Sequence, residues 1–125
     1  MASPRIERAE QLVDEIRAAL DAADLPKVLS TLDSKHVESA ARHGVVLVAA
    51  PRLTFDGPFG DVQTAYELHV VAGPADNYLA AWERIDQIID VLAGRINLAT
   101  GEPGGFQPLR GETIPAYTLT LNDLD

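Results

Sequence analysis

A two-layer α+β domain, a mainly antiparallel sheet with two helices on one face, is the fold class this sequence predicts. Two stretches, near the start and at residues 78–93, repeat apolar residues at the helical period. Between and after them lie apolar or alternating runs of strand length. Glycine and proline turn signals keep the strand connections short, which favours antiparallel pairing. With 125 residues, 46% of them hydrophobic, one domain over 1–125 with one core is expected.

Ser3 followed by Pro4 reads as an N-cap with proline at the first helical position, where a missing N–H costs nothing. A helix over 4–24 follows, with Ile6, Ala9, Leu12, Val13, Ile16, Ala19, Leu20 and Ala23 on one arc. Leu25-Pro26 ends it, because the residue before proline leaves helical geometry. A variable connection, 25–43, comes next. Val28, Leu29 and Leu32 suggest a short extended piece; Asp33 or Ser34 is placed to cap a brief helix through Val37, Ala40 and Ala41, stopped at Gly44.

The sheet and second helix are expected over 44–122. Residues 45–50 are apolar on both strand faces, which predicts a central strand with cover on each side. Pro51 implies a bend before 52–55, residues 56–61 a turn, and 62–71 one long alternating strand, Tyr66, Leu68 and Val70 facing one way and Glu67 and His69 the other. Asp76 or Asn77 caps a helix over 78–93 whose apolar arc holds Tyr78, Ala81, Trp82, Ile85, Ile88, Ile89 and Leu92. Trp82 is expected in the core. Short strands at 96–99 and 106–110 are expected to flank a turn at 100–105, and Pro115 to mark the last strand as an edge or the start of one.

Ten basic against nineteen acidic residues give a formal charge of −9, which repels phosphate backbones and anionic membranes. Cysteine is absent, so the chain has no disulfide, thiolate ligand or thiol nucleophile. No apolar signal core opens the sequence and its longest apolar run is far below a membrane span, so a soluble protein made in the cytosol is expected.

Candidate chemistry is sparse. Glu83, Asp86 and Asp90 line one side of the second helix at spacings that suit a divalent ion, and equally the solvated stripe that an amphipathic helix requires. Glu67 and His69 share a strand face and form either an acid/base pair or a plain surface pair. His36 and His43 lack ligand spacing. Residues 101–105 resemble a phosphate cradle but lack the lysine and hydroxyl of a P-loop. Phe59, at a turn between two glycines, either folds back on the core or docks on a partner. No catalytic, cofactor or metal residue is assigned; the candidate interface residues are Arg52, Pro58, Phe59, Gly60, Arg110 and Pro115.

Three segments carry a resemblance: Gly44 to Gly57 (GVVLVAAPRLTFDG), Glu67 to Pro74 (ELHVVAGP) leading into Ala81 to Asp86 (AWERID), and Ile114 to Leu121 (IPAYTLTL). In order and wording the chain resembles the tail terminator, or tail completion, proteins of long-tailed, siphovirus-type phages of actinobacteria. The resemblance implies a structural virion protein without enzymatic activity. It implies a homo-oligomer, a hexameric ring at the head-proximal end of the tail, assembled in the host cytoplasm. The implied partners are the major tail tube protein and a head-completion or neck protein. DNA would pass through without specific binding and no membrane is involved. The alternative is a small cytosolic ligand-binding domain or enzyme using Glu67 and His69.

Overall fold

A computed structural model describes residues 3–55, 62–108 and 111–121. The elements are α1 (Pro4–Ala22), β1 (Leu29–Thr31), α2 (Val37–Ala40), β2 (Val45–Val48), β3 (Arg52–Phe55), β4 (Val62–Ala65), β5 (Glu67–Val71), α3 (Tyr78–Ala93), β6 (Leu98–Phe106) and β7 (Ile114–Leu121); a 3-10 turn, Ser34–His36, leads into α2. Five strands form one sheet in the order β1-β2-β5-β7-β6, and β3 and β4 pair separately. Among the described strands only β1 with β2 is parallel. The architecture is the α+β sandwich the sequence predicts, with a mainly antiparallel sheet.

Helix α1 starts where Ser3 Oγ accepts the Ile6 N–H at 3.3 Å and Pro4 occupies the first turn. It stops at Ala22, two residues before the expected end, because Asp24 enters the left-handed region at φ 62°. Arg17 fastens the turn that follows, donating to the carbonyls of Leu25, at 3.2 Å, and of Val28. Its partner helix α3 begins at Asn77, whose Oδ1 accepts the Ala80 N–H at 3.2 Å.

One sheet face carries Val46, Val48, Leu68, Val70, Leu119 and Leu121, packed in a single cluster with Leu12, Ile16 and Leu20 of α1 and Ile85, Ile88 and Leu92 of α3. Both long helices thus cover one face. Among the described residues the other face is dry at one end only, where Val37 and Ala41 cover Val45, Val71, Ile114 and Ala116. Beyond them, alternation brings Glu67, His69, Thr118 and Thr120 to the uncovered part. Strand β2 is buried at all four positions and sits between β1 and β5, as a run apolar on both faces requires.

Three sequence expectations change. The run 62–71 is two strands, broken at Tyr66: β4 turns away to pair with β3, and the buried Tyr66 ring donates its hydroxyl proton to the Arg5 carbonyl at 3.1 Å. The expected turn at 100–105 is extended chain inside β6, which pairs with β7 from Leu98 to Phe106. Two of its glycines, Gly101 and Gly105, serve close approach: a Cβ on Gly101 would stand 2.9 Å from Leu119 Cδ2. Pro115 is not on an edge, since β7 lies between β5 and β6. It is the second residue of β7, where its carbonyl accepts from Ala72 N at 3.2 Å and its missing N–H faces the end of the β5 ladder.

Candidate functional site

Of the interface residues read from the sequence, Arg52 stands exposed at the start of β3, its guanidinium 3.5 Å from Glu67 Oε2. Pro115 is buried within the chain. Pro58, Phe59, Gly60 and Arg110 lie outside the described residues. Glu67 and His69 are drawn to different partners: Glu67 to Arg52, and His69 Nδ1 to Thr118 Oγ1 at 3.0 Å across the β5–β7 ladder. Glu83, Asp86 and Asp90 are exposed, and among the described residues no group of three His, Cys, Asp or Glu side chains gathers to hold a metal. Among them, too, no helix is long and apolar enough to cross a membrane.

What the fold does assemble is an exposed sheet edge and exposed apolar surface. Strand β6 is a sheet edge nine residues long and exposed over Ala99–Gly105. Alternation in an antiparallel ladder fixes which of its backbone groups face outward. Ala72 N–H bonds Pro115 O and Leu121 N–H bonds Tyr66 O, so odd-numbered β7 residues address β5. Their β6 partners Gly101, Pro103 and Gly105 therefore turn their own polar groups to the free side. Pro103 has no N–H to offer there, which leaves donors at Gly101 and Gly105 and blunts indiscriminate strand pairing. The opposite edge, β1, is three residues long, and its approach is covered by the Arg17 contact to Val28.

Beside the β6 edge, α3 presents an apolar shelf. Trp82 is 44% exposed and Leu79 60%, with the Tyr78 ring 6.3 Å from that of Trp82 and tilted 47°. This corrects the expectation that Trp82 is core. Only Ala81, Ile85, Ile88 and Leu92 of its arc are fully buried. At 100° per residue Trp82 lies about 60° round the helix from Ile85, and Leu79 about 120°. The arc is wider than one sheet can cover, and that width was the signal for an exposed apolar surface. Between Trp82 and the edge, a cleft of about 340 Å³ is lined by Asp86, Ile89, Leu98, Gly101 and Tyr117.

At the other side of the molecule Ile6, Leu32 and Leu53 stand 51%, 42% and 38% exposed around a groove of about 400 Å³ floored by Ala9, Val48 and Pro51. A third feature is electrostatic. Lys27, His43 and Arg84 line a cleft of about 420 Å³, with Arg42 donating its Nε–H to His43 Nε2 at 3.2 Å. Burial first, then the charges of Arg42, Lys27 and Arg84, hold the His43 imidazole below its ordinary pKa. Four cationic or titratable nitrogen groups thus converge on an acidic chain. Sequence spacing did not signal them, because the turn after α2, the β1 approach and α3 contribute separately.

The class defined by fold and surface is a small α+β domain whose exposed features are an open strand edge and apolar patches. No protein-family model, curated protein or solved structure matches the chain.

Proposed function

We propose that this chain is a structural virion subunit that closes into a ring on the head-proximal end of a phage tail tube, ending tube growth and joining tail to neck. The observation that carries the reading is the long open edge of β6 with exposed Trp82 beside it. Edges and aromatic anchors of this kind are what an assembling subunit offers a neighbour. Identical subunits meeting through two different surfaces make head-to-tail contacts, and a suitable rotation closes them into a ring. A hexamer matches the sixfold tube implied by the resemblance. The acidic balance, −9 per subunit, suits a conduit that must pass DNA without holding it.

Growing tail tubes with and without the protein tests the reading. Tubes of defined length with added density at one end are expected, together with a ring in native mass spectrometry. Tubes of unaltered length and bare at both ends overturn it.

A further inference from the structure

The two apolar patches lie at one end of the five-stranded sheet and towards its opposite edges. Val48 pairs with Leu68, Glu67 with Thr120 and Leu98 with Leu121, so the end of β2 and the start of β6 share that end. The groove is built at the end of β2 and the shelf reaches over the start of β6. Three strand spacings, about 14 Å, separate β2 from β6.

The patches also differ in form and charge. The groove is concave, and Arg5 is its one charged side chain among the described residues. The shelf stands on a helix, with Glu83 and Asp86 against Leu79 and Trp82. We infer that the Leu79–Trp82 shelf of one copy of this chain seats in the Ile6–Leu32–Leu53 groove of the next, with Asp86 and Glu83 facing Arg5. An apolar centre with a charged rim is the usual anatomy of a specific interface. Shelf against shelf would bring carboxylates together, so the charges select the unlike pairing. Because the two patches lie towards opposite edges of the sheet, each copy extends the assembly sideways across its sheet, the direction a ring requires. This inference takes its biological setting from the terminator reading, but the contact itself is a property of the chain.

Sedimentation velocity over a concentration series at physiological ionic strength tests it on the full chain. The wild type is expected to self-associate. Arg5→Glu and Asp86→Arg should each weaken association about tenfold or more, and the double variant carrying both should recover it to within about threefold of wild type. Trp82→Glu and Leu53→Glu should each be monomeric, and mixed together should give a heterodimer and nothing larger, since one keeps the groove and the other the shelf. All four positions are solvent-facing, so the variants fold, as thermal melts will check. A wild type that stays monomeric, single variants that associate like wild type, or a double variant no better than the singles overturns the docking. If the swaps behave as expected but tube length is unaffected, the terminator reading falls alone. If the protein caps tubes and R5E and D86R cap equally well, the docking falls alone.

Discussion

Gly44 joins the α2 turn to the central strand, and two independent constraints fix its identity. Its φ is +103°, where L side chains are strained, and a Cβ would come within 2.7 Å of Ile88 Cδ1 in the buried face of α3. Gly44→Ala should therefore destabilise the domain by about 2 to 4 kcal/mol, combining backbone strain and overpacking. An unchanged melting temperature would contradict this. The neighbouring His43 gives a pH test. Its Nε2 accepts from Arg42, which requires the neutral ring, and burial and three nearby cations oppose protonation. The folded pKa thus lies below the ordinary value near 6.5. A depressed pKa means that the contribution to stability is present above that value and is lost as pH falls through the folded pKa. An NMR titration should place His43 below the ordinary imidazole value near 6.5, and stability should decline over the same acid range.

At the element scale, β6 shows what composition hides. Glycine and proline at 101–105 carry strong turn signals, yet a strand forms because β7 supplies a partner along its whole length and an edge tolerates a proline whose missing N–H faces outward. Two substitutions separate strand from turn. Gly101→Ala should cost about 1 to 3 kcal/mol by pressing on Leu119, whereas Gly104→Ala, with nothing within 4 Å of the added methyl, should be neutral or stabilising by up to about 1 kcal/mol. Denaturant midpoints for the pair will check this, and equal effects would refute the register. Periodicity made α1, β2 and α3 legible, and caps at Ser3 and Asn77 set their starts. The break at Tyr66 was not legible, because β4 and β5 keep one alternating pattern while pairing with different strands. For the surfaces, Arg52 was readable as exposed; the Ile6–Leu32–Leu53 groove was not, since three distant segments build it.

For the whole molecule, charge and contact oppose each other. Every copy brings a formal −9, so the proposed ring would concentrate like charge while Arg5 and the carboxylates of α3 would attract locally. Exposed charges more than about 10 Å apart are screened at 0.1 M salt, whereas short apolar contacts are not. Moderate salt should therefore promote closure from dilute low-salt monomers. Native mass spectrometry across a salt series will show whether the assembled fraction rises, and a fraction that only falls would mean that the attractive pairs dominate.

The small sheet of β3 and β4 stands apart from these balances. Among its described residues every position of β3 is exposed, and the two strands hydrogen-bond in ladder only with each other. A lone hairpin is marginal in water. Its amides should therefore exchange with deuterium by local opening, orders of magnitude faster than those of β2 and β5, whose exchange should follow global unfolding. Leu53 lies on β3 and also walls the groove, so a strand of the small, exposed sheet forms one side of the proposed contact. Slowed exchange at residues 52–55 on self-association would turn that weakness into a reporter: the neighbour completes a piece of the fold that one chain leaves thermodynamically unfinished.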